Sequence, residues 1–426
     1  MVGAAVFVCG LALMLVPPYG CNAVPLAVAC LWRWPSPVQS WLLTRLGLGR
    51  RVLDVTGFAL AAVAAAVSLA TGGQLDGHLL HAGDFQSYWL GATVGTHYGW
   101  SRLFDEGIQQ TVWPQVGGAG LLFLPFLNTP PMAWLVAPLL SLPYVDAYAI
   151  WVSLMTISAV LVVLLIVPPR WLPAAALVSL GLWVMPYTVA SGQNAMLEAL
   201  AIAATLRLMR SGRMGWAGLA LSLVDLRPTA TLLVPLAILL AGYRRTFLVW
   251  LGVTAALGAL IALSLGTTGL EQFVRLALEV RVSHPRAQEM TILGWLGPSA
   301  LALALEAVLV ASALAAAWRS GRTPEVALVA GVLASLFVTP YIHTQDYVVL
   351  TAAAGATAAS TVRASFGIVL ISVLAAAPPG WIFGRAWEGA LLAVEIAWLA
   401  WLVWPTFVKS RGRSGLSDAQ QALVSE

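Results

Sequence analysis

A chain of 426 residues that is 60% hydrophobic and 9% charged, with a mean hydropathy of +0.86, is far too apolar for a soluble protein. Its formal net charge of +4 comes from arginines placed between apolar blocks, which reads as a topology signal and excludes a nucleic-acid partner. Three cysteines, Cys9, Cys21 and Cys30, form no CxxC pair or His-supported cluster, so neither a zinc site nor a disulfide framework is indicated.

Residues 1–51 form an N-terminal hydrophobic extension followed by "RWPSPVQSWLLTRLGLGRR". That stretch has Arg33, Arg45, Arg50 and Arg51 interleaved with Trp and Leu, which suits a cytoplasmic amphipathic segment. The span 52–70 then leaves the cytoplasm, and 71–120 forms a long first outside loop with Arg102 as its only basic residue. A loop of this length with so many aromatic rings is expected to be ordered and to carry function. Apolar blocks near 121–141 and 147–167 and a shorter one before residue 190 follow. The stretch 192–213 ends in Arg207, Arg210 and Arg213 and so finishes in the cytoplasm, as do Arg244 and Arg245.

Between these basic clusters lies "MGWAGLALSLVDLRPTATLLVPLAILLAGY", about thirty residues or roughly 45 Å of helix. This is too short for two crossings and too long for one. Pro228 disfavours helix at the residue before it, so the spacing predicts two short helices rising and returning, with "VDLRPT" at the tip. Residues 246–265 run out, 267–290 make an outer loop, and spans near 299–317, 325–338 and 347–360 follow. A last pair brackets "PPGWIFGRAW" and ends at the cytoplasmic tail 406–426. The whole is an all-α polytopic membrane protein of roughly 11 to 13 transmembrane helices at about 20 residues each.

Three polar sets fall toward the outer side: Asp84 with His81 and His97, Arg227 with Asp225, and His343 with Gln345 and Asp346. Arg275, Arg281, His284 and Arg286 lie on the loop between, against the usual topology bias. Ionisable residues in or near spans are expensive and point to function. Each also has a structural reading: Asp84 as a helix N-cap, Arg227 as the ion-pair partner of Asp225, His343 as an interfacial histidine, and Glu198 as a locally paired side chain. An acid beside a dry boundary can act as general base for a hydroxyl, and a guanidinium fits phosphate oxygens. Aromatic rings such as Tyr88 offer flat faces for a sugar or an apolar chain. Such a set suits group transfer from a lipid-phosphate donor, and equally a transporter or flippase of a lipid-linked substrate.

The motifs "GDFQSYW", "SRLFD", "FLNTPPMAWLVAPLLSLP", the run from "SGQNAMLEAL" to "LAGYRR", and "TPYIHTQDYVVLTAAA" follow one another in order. In that order they resemble glycosyltransferase family 87, the polyprenol-phosphate-mannose-dependent mannosyltransferases of the GT-C membrane fold, over roughly residues 52–405. The resemblance implies a GT-C-like transferase domain at 52–405 in a bacterial plasma membrane, with its catalytic loop 71–120 facing the extracytoplasmic side. It implies transfer of a sugar from a polyprenyl-phosphate donor to a glycan or lipid acceptor by inverting single displacement, with Asp84 as general base. Arg227, with Arg281 and Arg286 behind it, would hold the leaving phosphate. Gln193, Asn194, His343, Tyr88 and Asp346 would line the sugar or acceptor site. No cofactor and no metal are expected, since none of these residues has metal-ligand spacing. A transporter should show matched broken helices in two halves, and the chain shows no such symmetry.

Overall fold

The computed structural model describes residues 84–116, 123–167, 184–283, 291–339, 342–359, 389 and 391–403. The expected N-terminal extension, the span 52–70, His81 and the cytoplasmic tail lie outside the described residues. The structure is 83% helical, and no strand occurs among the described residues, so the chain is an all-α membrane protein.

Among the described residues, three helices are long and apolar enough to cross a bilayer: α4 (Tyr144–Ile166), the first 33 residues of α9 (Arg244–Ser283) and α11 (Ala300–Arg319). Their exposed faces are as greasy as their buried ones. On α4, Ala147, Trp151, Met155, Ser158, Val162 and Ile166 form a buried stripe at helical spacing, while Val145, Ile157, Val160 and Leu164 lie open on the other side. On α11, Leu301 and Leu303 are exposed and a seam of small residues, Ala302, Ala313, Ala316 and Ala317, packs inward. Apolar outside and small-residue inside is the pattern of a helix solvated by lipid. Glu306 also lies in the inward seam.

Inside this ring stand α6 (Ala195–Arg210), α12 (Pro324–Val338) and α13 (Tyr347–Ala359), buried nearly all round, while the short helices α5 (Val184–Ala190) and α10 (Ile292–Leu296) pack on α4 and α11. Helix α6 packs against α4, α13 and α7 (Met214–Leu221), and α12 packs against α11 and α8 (Val234–Leu240). The crossing of α8 and α12 is close. A Cβ on Gly331 would fall 2.6 Å from the Val234 Cα, so there is no room for a methyl group without moving backbone. Gly331→Ala is expected to destabilise the protein by about 1–3 kcal/mol through overpacking. A lowered unfolding midpoint in detergent would register it, and an unchanged midpoint would show the crossing to be looser than described.

The expected rising and returning pair is present. The chain climbs as α7, continues as a 3-10 turn over Ser222–Leu226, breaks at Arg227–Pro228 and returns as α8. Arg227 adopts φ −158°, ψ 88°, outside the helical region, as the following proline demands. Two expectations need correction. In the block 121–141 the described residues 123–129 are not helical, and helix begins at Pro130, as α3 (Pro130–Val136) and a short 3-10 extension, because prolines supply no amide and are suited to a helix start. The outer loop 267–290 is helical as far as Ser283, as the continuation of α9 beyond a single non-helical residue, Gly266 at φ 62°.

The helix ends sort by charge. Arg210 at the end of α6 pairs with Glu325 in the first turn of α12 at 2.7 Å. The Tyr243 hydroxyl, just before α9, donates to the Arg322 carbonyl, and Thr246 Oγ1 of α9 donates to the Met214 carbonyl of α7 at 3.1 Å. These contacts gather Arg207, Arg210, Arg213, Arg244, Arg245, Arg319 and Arg322 at one end of the bundle. Trp216 and Trp318 lie exposed at the same level, as interfacial tryptophans do. At the other end lie the start of α6, the tip between α7 and α8, the end of α12 and the start of α13. Helices α1 (Asp84–Tyr98), α2 (Glu106–Val112) and α3 pack on one another beside that second end. Gln109 ties this layer together, its amide donating to the Leu103 carbonyl and its oxygen accepting from the Phe126 amide, both at 2.8 Å.

Candidate active site

Asp84 opens α1, and Tyr88 follows one turn later on the same face. Phe85 and Trp89 lock this first turn against Tyr144, Tyr148 and Trp151 of α4, with ring centroids 5.5–5.8 Å apart. The Tyr88 hydroxyl makes a short hydrogen bond to Gln193 Oε1, lies 3.1 Å from Asn194 Oδ1, and accepts from the Asn194 amide at 3.3 Å. The loop carrying Gln193 and Asn194 has little freedom. Gly192 sits at φ 68°, its carbonyl accepts from Trp151 Nε1 at 2.7 Å, and a Cβ there would meet that of Phe85 at 2.9 Å.

Arg227 enters from the hairpin tip. Its partner is Asp346, with Nη1 at 2.5 Å from Oδ1, and both side chains are buried. The Asp346 carboxylate also accepts from the His343 amide at 3.0 Å, which closes the turn between α12 and α13. The ion pair with Asp225 does not form. Asp225 turns instead to α9, accepting from Trp250 Nε1 at 3.2 Å and Thr254 Oγ1 at 2.6 Å.

Asp84 is half-buried and lies within the fields of Arg227 and Asp346. It belongs to none of the three spans. Burial pushes its carboxyl from 3.8 up to about 6, the guanidinium of Arg227 pulls it partly back, and the charge of Asp346 adds to the rise. Among the described residues no amide of its own first turn donates to this carboxylate, so the N-cap reading has no bond to support it.

The expected residues therefore divide. Asp84, Tyr88, Gln193, Asn194, Arg227, His343 and Asp346 come to one end of the bundle, from four separate stretches of chain. His97 does not: it is exposed, its Nδ1 lies 3.1 Å from the Thr93 carbonyl, and thirteen residues of helix put it about 20 Å from Asp84. Arg275 is exposed on α9, while the Arg281 side chain and all of Arg286 lie outside the described residues.

Three more residues join the site without having been expected there. Thr129, just ahead of the two prolines of α3, donates to the carbonyls of Asp225 and Leu226 at 3.0 and 2.8 Å and so clasps the tip. Asn128 accepts from Asn194 Nδ2 at 3.4 Å. Glu198 is fully buried, accepts from Thr231 Oγ1 at 3.1 Å, and lies in the fields of Arg227 and Asp346. The only sequence signal for it was an acid in an apolar helix. Among the described residues no three His, Cys, Asp or Glu side chains converge closely enough to hold a metal ion. Here the acids surround a cation.

A pocket of this kind offers a base, a cation buried deeper than the base, and amide and phenol groups to orient a polyhydroxylated substrate between them. The family model of glycosyltransferase family 87 matches residues 126–340. The matched segment takes in Asn194, Glu198 and Arg227 and leaves Asp84 and Asp346 on either side of it. No curated protein and no solved structure matches the chain. With half of its length inside that model, and with lipid-facing helices around a buried set of charged side chains, this chain belongs to glycosyltransferase family 87 and is a membrane glycosyltransferase.

Proposed function

We propose that the protein transfers a sugar, mannose, from a polyprenyl-phosphate donor to an acceptor hydroxyl on a glycan or lipid, at the extracytoplasmic face of a bacterial plasma membrane. The observation that carries this reading is the pairing of a half-buried Asp84, poised near 6, with the field of a buried Arg227 at the end of the helix bundle remote from its arginine-rich end. Arginine-rich ends face the cytoplasm, which puts Asp84 and Arg227 on the outer side.

In the reaction, Asp84 takes the proton of the acceptor hydroxyl as its oxygen attacks the anomeric carbon. The new glycosidic bond forms on the face opposite the breaking carbon–oxygen bond, so configuration inverts. The bonding electrons leave with the phosphate of the polyprenyl carrier, whose growing negative charge is met by Arg227. Asp346 holds the guanidinium in place before the donor arrives, and Gln193, Asn194 and Tyr88 form a polar wall suited to sugar hydroxyls. His343 contributes through its turn, since its amide fixes the Asp346 carboxylate.

Purified protein in lipid nanodiscs, given polyprenyl-phosphate [14C]mannose and an envelope lipid extract, is expected to form a labelled product without any nucleotide sugar. Label incorporated only from a nucleotide sugar would overturn the donor assignment. Net movement of the lipid-linked sugar across vesicles with no product formed would favour a flippase.

A further inference from the structure

The proposed mechanism gives Glu198 no part. This residue lies one turn beyond Asn194 on α6, so its side chain shares the face that Asn194 presents to the site. It is fully buried in an apolar helix, a costly place for a carboxyl group unless something there depends on it.

What it holds is specific. Thr231 Oγ1 donates to Glu198 Oε2 at 3.1 Å. Ala230 and Thr231 form the turn that follows Arg227–Pro228 and precedes α8. The rest of the tip is fastened from other directions. Thr129 holds the Asp225 and Leu226 carbonyls, Thr339 Oγ1 donates to the Thr229 carbonyl at 2.7 Å, and Ser335 Oγ accepts from the Leu233 amide at 2.8 Å. Those anchors come from α3 and α12. Glu198 is the anchor from α6, the helix that also presents Asn194 at its start. It also lies in the field of Arg227 itself. The distance between the guanidinium and the polar wall is thus set through Glu198.

We infer that Glu198 is a positioning residue that fixes the Arg227 tip against α6 and thereby sets the affinity for the donor phosphate. The inference rests on the reading of Arg227 as the donor-phosphate residue. Leaving the buried Thr231 hydroxyl without its acceptor weakens the bonded arrangement by a factor of about ten to one hundred. That factor is expected in the KM for the donor, because Glu198 itself touches neither the acceptor nor the reacting atoms.

Steady-state kinetics with polyprenyl-phosphate mannose as the varied substrate test this. Glu198→Ala should raise the donor KM about tenfold or more. Its kcat and acceptor KM should stay within about threefold of the parent, a change worth less than a hydrogen bond. Glu198→Gln keeps an oxygen for Thr231 and should recover most of the loss. Should Glu198→Ala fail to fold, Thr231→Val removes the donor hydroxyl instead and should raise the donor KM about threefold or more. Arg227→Gln run beside them separates the two failures. If it raises the donor KM while Glu198→Ala and Thr231→Val leave theirs unchanged, Glu198 has no positioning role although Arg227 still grips the phosphate. If Arg227→Gln leaves the donor KM unchanged, the phosphate reading falls and the role of Glu198 falls with it. A Glu198→Gln protein as impaired as Glu198→Ala would also overturn the inference, since charge and not the bond to Thr231 would then matter.

Discussion

Asp84→Asn is expected to lower kcat for sugar transfer by about a thousandfold, within the range that a general base contributes, while leaving the helix bundle intact. Asparagine has the shape of aspartate but cannot accept the hydroxyl proton. The substitution should not disturb α1, because the Asp84 carboxylate caps none of its described first-turn amides and the turn is held by Phe85 and Trp89 against α4. The pH profile supplies a second check. The carboxyl titrates near 6 and only its ionised form accepts a proton, so activity should fall as pH drops through 6. At pH 5 about a tenth of the ionised base would remain, by simple titration of a single group. At pH 8 the site should be fully competent, and the acid limb should be missing from whatever activity Asp84→Asn retains. A variant that transfers sugar at the parental rate, measured by labelled product in nanodiscs, would remove Asp84 from the chemistry.

The second large effect concerns Arg227, where two consequences overlap. Arg227→Gln should raise the donor KM about a hundredfold by removing a charge-assisted grip on phosphate. The same change leaves Asp346 buried without its counter-ion, and breaking a buried pair costs about 3–5 kcal/mol. Loss of activity alone would therefore be ambiguous. The double variant Arg227→Gln with Asp346→Asn removes both charges together. Its unfolding midpoint should return close to that of the parent while its donor KM stays high. A double variant with normal donor use would mean that the single variant had failed through instability, and Arg227 would lose its assigned role.

How far the sequence could foretell these features depended on whether the cause was local. Pro228 announces the break at the tip because a proline constrains the residue before it, and Arg227 adopts the extended conformation accordingly. The lipid-facing spans are equally legible, since α4, α9 and α11 are apolar over the length of a bilayer crossing. Ion-pair partners were not. Asp225 is two residues from Arg227 and looked like its natural mate, yet the 3-10 turn directs it to Trp250 and Thr254 while Asp346 arrives from far along the chain. His97 was grouped with Asp84 because both belong to one polar stretch, but continuous helix carried them apart. Glu198 looked self-contained for the converse reason: its partner Thr231 comes from another element, and no spacing within α6 points to it.

The inner helices of the bundle are short. Helix α6 has 16 residues and α12 has 15, about 22–24 Å of rise, whereas α9 runs 22 residues from Arg244 before Gly266 interrupts it, about 33 Å. If the arginine-rich end sits at the inner border of a hydrocarbon layer about 30 Å thick, the tip with Arg227 lies several ångströms beneath the outer border while α9 reaches past it. The reaction centre would then be a well sunk into the leaflet and walled on its lipid side by α9. A carrier lipid need not be lifted out of its neighbours to reach such a centre, because its phosphate has only to slide sideways at its own depth. The acceptor, arriving from water, must descend to meet it.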